Sequence, residues 1–133
     1  MKRIIVTEKA NCVGCRVCEI VCAASHYKMF NTKRSRIKVP ASYPLPSPPV
    51  FCKQCPNAKC IEVCAADALT KAESGVILHN EQKCVKCEKC VTACPFEAMF
   101  IDITTKYPIK CDLCSGDPHC VKFCGRSALA IQE

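Results

Sequence analysis

All sixteen cysteines of this 133-residue chain fall into four runs of four, a pattern in which thiolates bind metal. The runs are Cys12, Cys15, Cys18 and Cys22; Cys52, Cys55, Cys60 and Cys64; Cys84, Cys87, Cys90 and Cys94; and Cys111, Cys114, Cys120 and Cys124. The first and third runs read C-x2-C-x2-C-x3-C, and Pro95 follows the third. This spacing ligates 4Fe–4S clusters in bacteria. At four thiolates per cluster, the sequence predicts four 4Fe–4S clusters and electron transfer.

The spacing has a physical reason. Three thiolates in a seven-residue loop can converge on one cluster, because the chain wraps around it. The fourth cysteine lies about one turn further along a helix, at ~3.6 residues per turn, so we expect it to point away and to ligate a different cluster. The second and fourth runs have wider loops, 56–59 and 115–119, which contain turn-forming residues. These loops are still wide enough to enclose a cluster.

Two other uses of cysteine remain as alternatives. A zinc-structured adaptor would also use C-x2-C pairs, but a third cysteine at the same short interval is surplus to a zinc site. A disulfide scaffold belongs to an oxidising compartment and a secretory signal. The apolar stretch Ile4–Val6 is too short for such a signal, so we expect a cytoplasmic protein. Colour separates the metals, since an iron–sulfur protein is brown and a zinc protein is colourless.

Composition limits the other function classes. The chain lacks tryptophan and has 6% aromatic residues, so its apolar core must be thin and metal binding must contribute to folding. The formal net charge is +7. Sixteen thiolates around four cores of about +2 each would add about eight negative charges, which cancels this excess. We therefore expect no nucleic-acid partner. Apolar runs of the ~20 residues needed to span a membrane are absent, so no direct membrane insertion is expected.

The elements around the first run are predicted from pattern. A strand is expected at 3–7 and a helix at 18–24. The segment 34–39 alternates basic and apolar residues, which predicts a half-buried strand. Its basic side chains, Arg34, Arg36 and Lys38, would form either a docking face or an ordinary solvated face. The proline-rich segment 40–49 is expected to be an extended connector.

The later runs are also followed by short strands. The sequence predicts a hairpin of strands 68–70 and 76–78 around Gly75, since glycine favours turns. Further strands are expected at 98–103 and 128–132. Each cysteine run is thus flanked by short strands and followed by one or two helical turns.

The sequence resembles the iron–sulfur subunits of molybdenum and tungsten oxidoreductases, formate dehydrogenases, hydrogenases and carbon monoxide dehydrogenases. The resemblance rests on the order of the four spacings (x2, x4, x2, x5), on V-G-C-R-V-C-E-I-V-C at 13–22 and on C-K-Q-C at 52–55. Within this family, the segment H-Y-K-M-F-N-T-K-R-S-R-I-K-V at 26–39 favours the small subunits of tungsten aldehyde oxidoreductases and their relatives.

The resemblance implies an α+β fold of two nested ferredoxin-like modules of the bacterial two-cluster type. The outer module would comprise 1–49 and 104–133, and the inner module 50–103. Four ligand sets are implied: set one (Cys12, Cys15, Cys18 and Cys124), set two (Cys111, Cys114, Cys120 and Cys22), set three (Cys52, Cys55, Cys60 and Cys94) and set four (Cys84, Cys87, Cys90 and Cys64). All sixteen cysteines would bind iron.

No residues resemble a catalytic apparatus, since every cysteine is used and no nucleotide-binding glycine loop is present. We expect a non-catalytic subunit that passes electrons between a large catalytic redox subunit and a ferredoxin, another carrier or further copies of itself. A free polyferredoxin remains an alternative. Of the histidines His26, His79 and His119, a surface or supporting role is favoured, and His119 beside Cys120 is the best candidate to tune a cluster.

Overall fold

Short secondary-structure elements follow the cysteine runs in the computed structural model, which describes residues 3–8, 11–40 and 48–132. In chain order they are strand β1 (Arg3–Val6), helix α1 (Val17–Tyr27), a 3₁₀ turn (Thr32–Arg34), helix α2 (Lys59–Val63), strands β2 (Leu69–Lys71) and β3 (Ile77–His79), helix α3 (Lys89–Ala93), strands β4 (Phe100–Ile101) and β5 (Pro108–Ile109), a 3₁₀ turn (Leu113–Gly116), helix α4 (His119–Phe123) and strand β6 (Leu129–Gln132). This mixture belongs to the predicted α+β class and is consistent with a ferredoxin-like 4Fe–4S domain.

The strands pair as three antiparallel two-stranded sheets. β1 pairs with β6, which brings the two ends of the chain together, and β2 pairs with β3 as the predicted hairpin. β4 pairs with β5. The predicted strand at 98–103 is shorter than expected because Asp102 turns the chain: its carboxylate accepts hydrogen bonds from the Thr104 N–H and the Thr105 hydroxyl. The other strands that follow the runs lie within one residue of their predicted positions.

The helices differ in length between the first run and the other three. Helices α2, α3 and α4 have five residues each, and the fourth cysteine of the run is the C-cap. Helix α1 has eleven residues, ends at Lys28 in the left-handed region, and contains the fourth cysteine, Cys22, in its interior. The predicted helix at 18–24 is confirmed, and the observed helix is four residues longer in total. α1 packs against α4, and α2 packs against α3.

The predicted basic strand at 34–39 is wrong. Arg34 ends a 3₁₀ turn, and the only pairing in this part of the described chain is an isolated bridge between Lys38 and Val50. The guanidinium of Arg34 is buried against Asp102, with contacts of 2.9 and 2.7 Å. Arg36 contacts Asp112. These two charged side chains therefore turn inward to acidic partners, and they form neither a docking face nor a solvated face.

Two small apolar clusters take the place of a single large core. The larger contains Ile4, Ile37, Phe51 and Leu129 together with buried cysteines. The smaller contains Leu69, Ile77 and Met99. Most of the predicted connector, 41–47, lies outside the described residues. Among the helices that are described, none is long and apolar enough to cross a membrane.

Candidate iron–sulfur sites

The first three cysteines occupy equivalent positions in all four runs. The third cysteine is the second residue of each helix, as Cys18 is in α1 and Cys60 in α2. The first two cysteines lie on the loop before the helix. The structure therefore presents the first three sulfurs of each run from a loop and the first turn of its helix, as the spacing predicts.

The loops of the four runs share a turn after the first cysteine. The residue two positions after that cysteine has a positive φ in every run: Gly14, Gln54, Lys86 and Leu113. Side chains with a Cβ rarely adopt this conformation, so its repetition points to a functional constraint. In three runs the turn aims a backbone N–H at a sulfur. The amides of Gln54, Lys86 and Leu113 lie 3.4, 3.4 and 3.5 Å from the sulfurs of the first cysteines of their runs.

A second turn does the same for the fourth cysteine in three runs. The residue three positions after it, Asp67, Glu97 or Ser127, has a positive φ. The next residue is a buried alanine whose N–H points back to the sulfur. These bonds are Ala68 N–H to Cys64 at 3.3 Å, Ala98 N–H to Cys94 at 3.4 Å and Ala128 N–H to Cys124 at 3.3 Å. Hydrogen bonds to sulfur are among the features that set the reduction potential of an iron–sulfur cluster.

Three cavities are each lined by four cysteines. The first contains Cys12, Cys15, Cys18 and Cys124; the second contains Cys52, Cys55, Cys60 and Cys94; the third contains Cys64, Cys84, Cys87 and Cys90. In each cavity three cysteines come from one run and the fourth comes from another run. Cys60 and Cys64 thus line different cavities although they belong to the same run.

The remaining four cysteines, Cys22, Cys111, Cys114 and Cys120, are the most deeply buried group. Cys22, Cys111 and Cys120 all belong to the larger apolar cluster. Burial raises the pKa of the Cys111 thiol to about 12 and also raises the pKa of Cys120. A buried thiolate is therefore costly here unless a bound cation compensates its charge, and iron is such a cation.

The residues at these sites fit 4Fe–4S clusters. Each cavity offers four sulfur ligands, and the other residues that line the second cavity include apolar side chains such as Ala58, Ile77 and Met99. Cysteine thiolates are the usual ligands of this cofactor. Backbone N–H groups already point at sulfurs in all four runs. Among the described residues no carboxylate lines the second cavity to compete as a ligand.

Cys22 has surroundings that the other fourth cysteines lack. Its sulfur accepts a hydrogen bond from the Arg36 N–H at 3.3 Å, and Nδ1 of His26 lies 3.7 Å away. Burial works to raise the pKa of the Cys22 thiol, but these contacts outweigh it and the pKa falls below its ordinary value. This is the opposite of the shift at Cys111.

His26 is held in place by acceptors on both ring nitrogens. Nδ1 lies 2.9 Å from the Cys22 carbonyl oxygen, and Nε2 lies 3.0 Å from a carboxylate oxygen of Asp112. Both partners are acceptors, so both nitrogens carry hydrogen and the ring is cationic. The bond to Asp112, followed by the contact with Cys22, raises the pKa of His26 to about 10. The hydrogen bond from His26 in turn holds the pKa of Asp112 at about 2, against the effect of burial.

That His119 is the histidine best placed to tune a cluster stays a prediction, and the structure adds His26 as a second candidate. His119 is the first residue of α4 and His79 lines the third cavity, whereas the ring of His26 lies 3.7 Å from the Cys22 sulfur. The sequence does contain a signal for this. Four positions after the fourth cysteine stand Ala68, Ala98 and Ala128 in three runs, whereas the first run has His26.

Comparison with known proteins agrees with this chemistry. Residues 46–133 match the family described as the 4Fe-4S dicluster domain. The polyferredoxin-like subunit of the aliphatic sulfonate oxidoreductase of Pyrococcus furiosus is 39% identical over 90% of this chain and 72% of its own length. One subunit of the polysulfide reductase of Wolinella succinogenes is 32% identical over 92% of this chain and 71% of its own length.

A solved structure also matches. One component of the active site complex BamBC of benzoyl coenzyme A reductase, with benzoyl-CoA, superposes with a TM-score of 0.59 and 28% identity. The match covers 99% of this chain and 78% of that one. Sixteen cysteines fit four 4Fe–4S clusters, as predicted. The chain therefore belongs to the 4Fe-4S dicluster family and is an iron–sulfur electron-transfer subunit of the kind found with oxidoreductases.

Proposed function

We propose that this chain is a non-catalytic relay that passes single electrons through four clusters between a large redox enzyme and an external carrier. The observation that carries the proposal is the sharing of cysteines between runs. Each cavity combines three cysteines of one run with the fourth of another. This supports the ligand sets one, three and four, and the last four cysteines then make up set two.

Shared ligands support the pairing of runs into two modules. The outer module, 1–49 with 104–133, would hold sets one and two, and its helices α1 and α4 pack together. The inner module, 50–103, would hold sets three and four, and its helices α2 and α3 pack together. The hairpin of β4 and β5 runs across the boundary, and Phe51 packs among residues of the outer module. Such joint packing would hold the modules at a fixed separation.

The burial of the cysteines supports a linear order of clusters. Cys15 of set one and Cys87 of set four are exposed, whereas Cys22, Cys111 and Cys120 of set two are buried. The clusters of sets one and four would then be the two ends of the relay. Near these two cysteines lie exposed apolar side chains, Val13 with 51% and Val85 with 70% exposure. Both ends thus have apolar surface for a redox partner to cover.

The partner that we propose is a catalytic subunit of the tungsten or molybdenum type, with an aldehyde oxidoreductase favoured. The support is the resemblance of segment 26–39 and the oxidoreductase names of the relatives. The carrier at the other end would be a ferredoxin or a second copy of this chain. Hydrogenase, formate dehydrogenase and carbon monoxide dehydrogenase remain the other candidate partners. Metal analysis of the complex that co-purifies with the subunit tests this choice, because tungsten or molybdenum must be present in it.

The relay itself is tested by electron transfer from the substrate-reduced partner to artificial acceptors, with and without this subunit. We expect the subunit to raise the rate to those acceptors that cannot reach the partner's own active site. Unchanged rates to every acceptor, with all iron in place, would favour a structural role instead. Iron and acid-labile sulfide should each approach about sixteen per chain, because four complete ligand sets require four clusters.

A further inference from the structure

Lys110 is a buried lysine that none of the cysteine spacings predicts. It is 2% exposed, and it stands directly before Cys111, after the end of β5. Nζ donates to the Ile77 carbonyl oxygen, to the Cys111 carbonyl oxygen at 2.6 Å and to Oε1 of Gln54 at 3.5 Å. Three oxygen acceptors match the three N–H donors of an ammonium group. The geometry therefore specifies a positive charge in the interior.

This charge has no carboxylate partner among the described residues, since the ion pairs formed there do not include Lys110. An isolated buried ammonium is very unfavourable, so opposite charge must lie nearby. Glu81 and Asp112 line a different cavity with Lys110, but neither forms an ion pair with it, and Asp112 is already paired with His26 and Arg36. The other neighbouring groups that can supply negative charge are thiolates. Lys110 lines the cavity of Cys52, Cys55, Cys60 and Cys94, which is set three. Its own backbone continues into Cys111 of set two.

Lys110 lies next to cysteines of both sets: it lines the cavity of set three, and its Nζ donates to the carbonyl oxygen of Cys111 in set two. Gln54, which is 0% exposed, connects the same two sets. Its side-chain amide donates to the Cys111 carbonyl oxygen at 2.8 Å, and its own N–H donates to the Cys52 sulfur at 3.4 Å. The Gln54 oxygen accepts from Ile77 N–H at 2.8 Å.

We propose that Lys110 is a fixed positive charge shared by the two central clusters, those of sets two and three, and that it stabilises an added electron on either of them. The proposal rests on the ligand sets proposed above. With the clusters bound, transfer of an electron between them would oxidise one and reduce the other by one electron, and would require no proton transfer. A charge between them would lower the energy of both reduced states without favouring one direction strongly. Gln54 is then a positioning residue for Lys110.

The test is a redox titration of the isolated four-cluster subunit, monitored by electron paramagnetic resonance under anaerobic conditions. At a fixed solution potential, Lys110→Met should lower the ratio of reduced to oxidised cluster at least tenfold for the two central clusters, those of sets two and three. The other two clusters should change less than twofold. Lys110→Arg, which retains the charge, should restore most of the ratio for both central clusters.

Lys71 provides a matched control. Its exposed ammonium donates to the carbonyl oxygens of Cys55 at 3.2 Å and Pro56 at 3.0 Å, close to set three but in water. Lys71→Met should change every ratio less than twofold, because solvent screens this charge. Gln54→Glu is a second variant, which places a carboxylate on the ammonium and should lower the same two ratios without removing the lysine.

Three results would overturn the proposal. The first is a Lys110→Met variant with full iron content and unchanged ratios, and the second is a Lys110→Met variant in which only one cluster changes. The third applies if Lys110→Met does not retain its iron, and it is an unchanged pair of ratios in Gln54→Glu. None of these measurements uses a partner enzyme, so they do not depend on the relay test. The ligand sets are tested separately by Cys22→Ser, and a failure there is therefore distinguishable from a failure of Lys110.

Discussion

The surroundings of Cys22 differ from those of Cys64, Cys94 and Cys124, although all four cysteines end the same x3 spacing. The latter three are helix C-caps whose sulfurs accept a hydrogen bond from the N–H of an alanine four residues later. Cys22 lies inside helix α1, which continues to Tyr27. Its sulfur meets the Arg36 N–H and the cationic ring of His26 instead.

The difference shows that cysteine spacing and cluster environment are separate features of this protein. Spacing places the first three sulfurs of every run on a loop and the first turn of a helix. After the fourth cysteine the chain either turns away, as it does before the three alanines, or continues as a helix that brings the charged side chain of His26 to the sulfur. Positive charge and hydrogen bonds near sulfur favour the reduced cluster. We therefore expect the cluster of set two to have a higher potential than this fold would give it with alanine at the position of His26.

The largest effect is expected from Cys22→Ser, which tests whether the Cys22 region belongs to set two. The signal of the cluster bound by Cys111, Cys114 and Cys120 should be lost or strongly changed, because serine is a poor replacement for a thiolate ligand. Iron should fall from about sixteen toward about twelve per chain. Cys94→Ser is the matched control and should affect the cluster of set three. If Cys22→Ser instead altered the cluster of Cys12, Cys15 and Cys18, the proposed sets would be wrong.

The next effect concerns the buried ion pair that positions the segment before Arg36. Arg34 and Asp102 meet through two contacts, and the Arg34 guanidinium stacks on the Tyr27 ring at 3.8 Å. Asp102→Asn should lower the unfolding midpoint of the loaded protein by about 4 °C or more. Glu62→Gln removes an exposed pair with Lys59 and should change the midpoint much less. Equal changes in both variants would contradict the structural role of Asp102.

The pH dependence of this pair has a definite sign. The hydrogen bond from Arg34, against the effect of burial, lowers the pKa of Asp102 to about 2. A carboxyl with a depressed pKa stabilises the fold at pH values above its unfolded pKa, which is about 3.9, and this contribution is lost as the pH falls through the folded value. The difference in midpoint between wild type and Asp102→Asn should thus be constant from about pH 8 to about pH 5. A difference that already shrinks within that range would count against this assignment.

A smaller effect is expected from His26→Ala, which gives the first run the alanine found in the other three. The potential of the cluster of set two should fall by about 60 mV, equivalent to a tenfold change in a one-electron equilibrium. The cause is the loss of a positive charge 3.7 Å from the Cys22 sulfur. His119→Ala is the control and should shift no cluster by a comparable amount. A larger shift in the His119 variant would show that His119 is the tuning histidine after all.

Much of this arrangement is predictable from sequence because it is local. The cysteine positions, the helices that start near each third cysteine and the hairpin at Gly75 all depend on residues a few positions apart. The direction of Arg34 is not predictable in this way, since its partner Asp102 lies 68 residues further along the chain. Alternation of basic and apolar residues at 34–39 looks the same whether the basic side chains face water or a buried carboxylate.

The buried position of Lys110 and the role that we propose for it are not predictable from the sequence for the same reason. A single lysine before a cysteine has no periodic signal, and its acceptors come from Gln54 and Ile77, which lie 56 and 33 residues away. His26 is an intermediate case. Its partner Asp112 is 86 residues away, yet its unusual identity at the alanine position is visible once the four runs are aligned with one another.

The smallest effect is expected where the group that donates a hydrogen bond to the sulfur is a backbone N–H, because a change of side chain does not remove it. Ala98→Gly removes the side chain near Cys94 but keeps the N–H that donates to its sulfur at 3.4 Å. Ala98 is buried, so a modest loss of stability is expected from the missing methyl group, of about 1 kcal/mol. The potential of the cluster of set three should nevertheless move by less than about 15 mV, a factor below two in the one-electron equilibrium.

Ala128→Gly extends this test to a second run, and it should behave in the same way at Cys124 because the same kind of N–H remains. Suppose that either glycine variant, with full iron content, shifted its cluster as far as His26→Ala shifts that of set two. Side-chain charge would then not be what separates the Cys22 region from the others. The difference would have to lie in the length of helix α1 and in the access of water to the sulfur, both of which affect a cluster's potential without any change of charge.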